Sequence, residues 1–277
     1  MTSKSVFSIF VLAATVFVLP AFAVDGTTLI NQATVVAAGG FPYNITQTGS
    51  YRLSGNLVAS NTQAISITAA NVTLDLNGFT ISCSGCAASY IGIIGTAAGT
   101  VVENGNVTGY SGSSGLAIYL EAGGKVDHMG VTGNYNGIAS GGSLTITNCN
   151  VSNNVRTGIN SFTASRPELI VLNSVISSNG RDGIDIANGL ISGNTISANG
   201  AGPYSGVTGG IIVFGGTVTV TNNVISNNNY GIGEGTGAGT STIGYGSNTF
   251  GENGTDIDPF ATNLYSMKNN VNATGLF

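Results

Sequence analysis

A glycine followed by isoleucine or leucine keeps returning along this chain, at nearly constant intervals. Gly92-Ile93, Gly115-Leu116, Gly137-Ile138, Gly158-Ile159, Gly183-Ile184, Gly210-Ile211 and Gly231-Ile232 stand 23, 22, 21, 25, 27 and 21 residues apart. Ala64-Ile65 and Asp256-Ile257 read as weaker copies at the two ends. A fixed period of this length marks a solenoid or array of stacked units, and it outranks any local propensity as evidence for the fold.

Within each unit the same phrases recur. An alternating apolar stretch such as "GGSLTITN" or "GGTVTVTN" is followed by a β-branched run ending in Ser or Thr, and then by an Asn-containing turn. The turn asparagines are Asn134, Asn154, Asn179, Asn199, Asn228 and Asn253. Period-2 alternation in short Val-, Ile- and Thr-rich runs predicts strands, and Gly and Asn supply left-handed or otherwise strained corners. A unit of this size is too short for a βαβ crossover but holds three short strands and three corners. Stacked at about 4.8 Å, each strand pairs in parallel with its copies above and below. Apolar side chains then fill one continuous core, and the asparagines of one corner stack into a hydrogen-bonded ladder.

Such a fold needs few charges, which explains a composition with only 7% charged residues but 42% hydrophobic residues. The hydrophobic fraction argues against disorder in spite of 43 glycines. The first 23 residues stand apart: Lys4 precedes the apolar run Val6–Leu19, and Ala21-Phe22-Ala23 offers a small-x-small cleavage pattern. The run is short of the roughly 20 residues of a membrane span, so a secretory signal peptide is expected, with a retained anchor as the alternative. The chain from residue 24 onward then carries 12 acidic and 6 basic residues, a net charge of −6. No basic stretch exists to follow a phosphate backbone, so nucleic acid is not an expected partner. The expected location is secreted or periplasmic, with no membrane contact after cleavage. Cys83 and Cys86 form a C-x-x-C that an exported protein can close as a disulfide, and Cys149 is expected to pack as a small apolar side chain.

The Gly-Ile units separated by "N-x-I-S-x-N" turns resemble the right-handed parallel β-helix repeats of the pectate-lyase-like superfamily, and residues 49–81 resemble the first coils of many exported β-helix proteins. The resemblance covers about residues 49–254 and implies an all-β fold, a single-stranded right-handed parallel β-helix (solenoid) of about eight to nine coils with short terminal caps. The expected organisation is a signal peptide over 1–23, an N-terminal cap and first strands over 24–60, the β-helix over 61–254 and a C-terminal cap over 255–277. Residues 25–40 are expected to form an amphipathic capping helix, since an open coil end invites aggregation.

With the repeat as a ruler, "RTGIN" (156–160) and "RDGID" (181–185) share one register. Arg156 then lies one coil from Arg181, Thr157 matches Asp182, and Asn160 matches Asp185, while Ala139 and Ile212 hold the Asp185 position in other coils. The resemblance implies one role for this group. Superfamily members use an Arg or Lys to take a proton beside a uronate carboxylate and nearby carboxylates to hold Ca²⁺, which makes Arg156, Arg181, Asp182 and Asp185 catalytic candidates. The competing expectation is an exposed surface ion pair contributing about 0–1 kcal/mol. A second group lies in "GKVDHMG" (124–130), where Glu103 and Asp127 fall in one column as weak metal candidates beside Lys125 and His128. The insertion at 199–209 brings Tyr204, able to stack on a sugar ring. "DIDPF" (256–260) resembles the Asp-Pro-His of alginate-epimerase-like β-helices, but Phe260 stands at the His position and cannot move a proton.

Three functions follow as expectations. The first is an exported β-helix that interacts with an extracellular or cell-envelope polysaccharide, or another surface, without rapid turnover. The second is a polysaccharide lyase-like enzyme acting on uronate polymers. The third is an ice- or surface-binding protein using Thr and Ser ladders.

Overall fold

The structure, a computed structural model, describes residues 26–161, 167–235, 239–258, 261, 263–272 and 275–276. The expected signal segment and residues Pro259 and Phe260 lie outside them. Most coils contribute one strand to a ten-stranded sheet and two to a twenty-stranded sheet that wraps the other faces; in two coils the latter two merge into one nine-residue strand, Thr100–Thr108 and Gly124–Thr132. One coil shows the plan, with strands Asn136–Ser140, Leu144–Thr147 and Asn150–Ser152. Apart from the closing antiparallel pair, Val271–Asn272 with Gly275–Leu276, coil-to-coil pairing is parallel.

The core is built as columns. Ile65, Ile93, Ile118, Ile138, Ile159, Ile184, Ile211 and Ile232 pair in register down the ten-stranded sheet, and every one is 0% exposed. Six of these isoleucines follow a glycine and two follow a buried alanine, Ala64 and Ala117, because the space there is small. A Cβ on Gly158 would meet the Asn179 amide at 2.7 Å and the Gly183 carbonyl oxygen at 2.8 Å, both on the next coil. This register corrects one sequence assignment: the third coil aligns through Ala117-Ile118, because Ile118 pairs with both Ile93 and Ile138, and Gly115-Leu116 lies two residues early.

The asparagine ladder forms, and a second one accompanies it. In the first, the backbone N–H and the side-chain amide of Asn134, Asn154, Asn179, Asn199 and Asn228 each donate to the Oδ1 of the next asparagine, ending at Asn253. The second runs through Asn194, Asn223, Asn248 and Asn270, and Ser174 leads into it by donating its backbone N–H to Asn194 Oδ1. The strained corners lie one residue earlier than the first ladder. Asn153, Ser178, Ala198, Asn227 and Glu252 hold φ between 55° and 57°, so the left-handed corner accepts varied residues. The buried position after it selects Asn, whose amide can satisfy the neighbouring coils' backbone.

The coil number is close to the expected eight to nine. Thr28–Ile30 already pairs with Tyr51–Leu53, and Leu264–Ser266 still pairs below Ser241–Gly246, giving ten coils by the ten strands of the smaller sheet. The capping helix is shorter than 25–40. It spans Gln32–Ala37, opens with an Asn31 capping box and drops Val35 into the core. Among the described residues no helix is long and apolar enough to cross a membrane.

Candidate functional site

The outward-facing positions of the ten-stranded sheet divide into an open part and a roofed part. One column runs Asn44, Ser66, Ile94, Tyr119, Ala139, Asn160, Asp185, Ile212 and Gly233. The first six are exposed or half-buried, and the last three are buried. Six rungs at the strand spacing make an open shelf of about 24 Å.

The roof is the 199–209 insertion, folded back against the sheet. Val207 packs on Ile212 and Phe214, and a Cβ on Gly233 would meet Val207 at 2.5 Å. Tyr204 donates its hydroxyl to the Val155 carbonyl at 3.1 Å, and the Gly202 amide donates to the Gly180 carbonyl at 2.6 Å. Tyr204 is thus half-buried and engaged by the coil corner.

The four candidate residues of the Arg-Asp cluster do come together, at the boundary between shelf and roof. Asn160 pairs with Asp185 as the register predicts. The exposed-corner expectation is overturned, however, because Asp182 is 0% and Asp185 2% exposed. Asp182 Oδ1 accepts the Gly209 N–H at 3.1 Å, where the insertion rejoins the sheet. Arg181 Nε lies 3.0 Å from Asp182 Oδ2, an ion pair without hydrogen-bond alignment. Thr157 donates its hydroxyl to Asp185 Oδ2 at 3.4 Å. The two carboxyl groups are within hydrogen-bonding reach of each other. Burial pushes both of them up. Asp185 goes well above the usual carboxylate range because the Asp182 charge adds to its burial, while Arg181 and Arg156 pull in the opposite direction.

This chemistry suits neither of two familiar roles. Carboxyls in direct contact are closer than the roughly 5–9 Å separations used in glycoside hydrolysis. Two carboxyls that face two arginines also fall short of the 6–8 oxygen ligands Ca²⁺ takes. Among the described residues no group of three His, Cys, Asp or Glu side chains is placed to hold a metal ion.

Glu103 and Asp127 do pair in one column, with Asp75 a further rung along. Asp127 is already engaged: Lys125 Nζ at 2.9 Å, the Thr147 hydroxyl at 2.6 Å, the Asn148 amide at 3.1 Å and His128 Nδ1 at 3.0 Å all face its carboxylate. Partial burial opposes its ionisation, but the bonds from Thr147, Lys125 and Asn148 outweigh that and hold it below the usual carboxylate range. A depressed folded pKa gives stability above the ordinary aspartate value of about 4 that is withdrawn as pH falls below it. Asp127→Asn is expected to flatten that acid limb in denaturation measured against pH, and an unchanged limb would show that the Lys125 pairing contributes nothing. His128 occupies, at φ 51°, the left-handed corner that Asn104 and Asn148 hold in the adjacent coils.

Cys83 and Cys86 are joined by a disulfide, and Cys149 is free and buried, its thiol pushed up to about 11 by burial. Tyr119 is the shelf residue that sequence reasoning missed. The two-residue slip at Gly115-Leu116 hid its equivalence to Ala139 and Ile94.

The family described as "Right handed beta helix region" matches residues 138–273. No curated protein matches the chain in sequence. Among solved structures, the A-module of the mannuronan C-5 epimerase AlgE6 from Azotobacter vinelandii aligns with a TM-score of 0.54 at 13% identity, over 87% of this chain and 93% of that one. With the ten-coil parallel architecture, these likenesses show that the chain has the right-handed parallel β-helix repeat fold.

Proposed function

We propose that this protein is exported and holds an extracellular polysaccharide along the open shelf of its ten-stranded sheet, without rapid turnover. The observation that carries this reading is the division of the outward column: open from Asn44 to Asn160, then sealed where the Asp182–Asp185 pair begins. Tyr119 stands on the shelf between inward-facing Ile118 and Leu120, with half-exposed Tyr90 and Tyr135 bordering the strands of the coils on either side. A tyrosine face offers apolar area with a polar edge, which suits a sugar ring. Arg156, half-buried beside the boundary, supplies positive charge for an acidic sugar. The Cys83–Cys86 disulfide and the signal-like residues 1–23 support export. A mannuronan epimerase module on the same fold supports polysaccharide as the ligand class.

Affinity electrophoresis or a glycan array carrying uronate and neutral polymers tests this directly. Tyr119→Ala is expected to weaken binding by about tenfold or more, the 1–3 kcal/mol scale of a lost stacking contact, while far-ultraviolet dichroism stays unchanged. Lack of binding to every polymer would remove the carbohydrate reading. Accumulation of unsaturated product from a uronate polymer, abolished in Arg181→Ala, would establish the lyase-like alternative.

A second reading has its own observation. On the twenty-stranded sheet Ser82, Thr108, Thr132, Ser152, Ser177, Ser197 and Ser226 pair in one continuous column of hydroxyls at about 4.8 Å. Such a lattice favours a periodic solid such as ice, and thermal hysteresis with loss on Ser177→Tyr would support it over the shelf.

A further inference from the structure

The roof over the ten-stranded sheet is tied down at the carboxyl pair, and the hydrogen-bond inventory there is incomplete in an informative way. Asp182 Oδ1 accepts from Gly209 and Asp185 Oδ2 accepts from Thr157. The other two oxygens, Asp182 Oδ2 and Asp185 Oδ1, are buried and receive no hydrogen bond from any N–H or from any hydroxyl. Buried polar atoms without a hydrogen bond cost on the order of 1–3 kcal/mol each, and Arg181 Nε, 3.0 Å from Asp182 Oδ2, offsets one of them by charge alone. Two such oxygens on carboxyls in mutual contact satisfy each other if one of them carries a hydrogen.

We propose that Asp182 and Asp185 hold a single proton between Asp182 Oδ2 and Asp185 Oδ1, and that this proton latches the 199–209 insertion onto the sheet. In the protonated state the pair carries one negative charge. Arg181 faces that charge from the same coil, Arg156 faces it from the coil before, Thr157 donates from that coil, and the insertion contributes the uncharged Gly209 N–H. The coil after it contributes Ile212, which carries no charge. Removing the proton puts two buried anions in contact with no further cation among the described residues, and like charges so placed cannot both persist. The insertion is held by Thr208, which accepts from the Tyr230 N–H and the Asn229 amide, by Val207 on Ile212, and further out by Tyr204 and Gly202; it bears on the pair through the Gly209 amide. It therefore lifts, and the shelf lengthens past Asn160 toward Ile212.

The sign follows from the raised carboxyls. The closed state binds a proton that the open state releases, so closure is complete below the ordinary carboxylate range and is lost as pH rises through the raised value of the pair. Hydrogen exchange at the Gly209 amide reads this without any glycan. After correction for intrinsic rates, protection is expected to fall by up to about tenfold per pH unit between the ordinary carboxylate range and the raised value of the pair, the slope of a one-proton event, and to level off above it. Asp185→Asn, whose amide still donates to Asp182 but does not titrate, is expected to keep Gly209 protected across the same range. A flat wild-type profile over the pH range in which the fold survives, or the same fall in Asp185→Asn, overturns the latch. Should the variant fail to fold, infrared spectroscopy of the wild-type protein decides: a protonated-carboxyl band persisting at pH values above the ordinary carboxylate range supports the shared proton, and its disappearance within that range refutes it.

Discussion

Asn199→Ala is expected to destabilise the protein by about 3–5 kcal/mol, although it removes one small side chain from a chain containing many asparagines. Asn199 Oδ1 accepts both the backbone N–H and the side-chain amide of Asn179, at 3.1 and 3.0 Å, and its own amide donates to the Ile176, Ser197 and Asn228 oxygens. Alanine leaves the Asn179 N–H buried without an acceptor and interrupts the ladder in the middle of the solenoid. Because each coil contacts mainly its neighbours, the loss concentrates at the junction of the two coils. The control is Asn153→Ala, one residue outside the same ladder at φ 55°. Ala198 already occupies the equivalent corner at φ 56°, so that change is expected to cost about 1 kcal/mol or less. Denaturant titration followed by circular dichroism compares the two; equal costs would mean that the ladder adds nothing beyond corner geometry.

That contrast also shows how far the sequence was legible. The six ladder asparagines are visible in the sequence because a turn residue repeats at the coil period. Their reason is not, since Asn is favoured both by left-handed corners and by buried amide stacks, and only burial separates the two. The second ladder escaped because Cys149 and Ser174 occupy its first positions and blur its pattern. At the end of the solenoid the weak copy Asp256-Ile257 announces the last coil: Ile257 pairs with Ile232, and Leu264–Ser266 stacks in register after it. Register carried the candidate cluster well, placing Thr157, Asn160, Asp182 and Asp185 together. Burial did not follow from register. Asp185 points to the outer side of a sheet, where solvent is the default, yet it is 2% exposed, beside Asp182, where the 199–209 insertion rejoins the sheet through Gly209.

Gly183 sits between the latch and the core, and its replacement by valine is expected to cost about 3 kcal/mol or more. A Cβ there would stand 2.5 Å from the Gly210 carbonyl oxygen and 3.0 Å from the Asn199 amide, and both belong to paired structure that cannot swing aside. Alanine is a milder test. Ala117 holds the equivalent position in an earlier coil, fully buried, so one methyl can be absorbed by a small change in coil spacing. The expected series is therefore graded, with about 1–2 kcal/mol for Gly183→Ala and the larger loss for Gly183→Val. The functional consequence separates packing from latch. Widening the gap between the coils of Gly183 and Gly210 draws Asp182 away from the Gly209 N–H, so Gly209 should lose protection in Gly183→Ala even below the titration of the carboxyl pair. If Gly183→Val instead denatures like the wild-type protein, the recurring glycine is not a spacing requirement, and the feature that defines the repeat needs another cause.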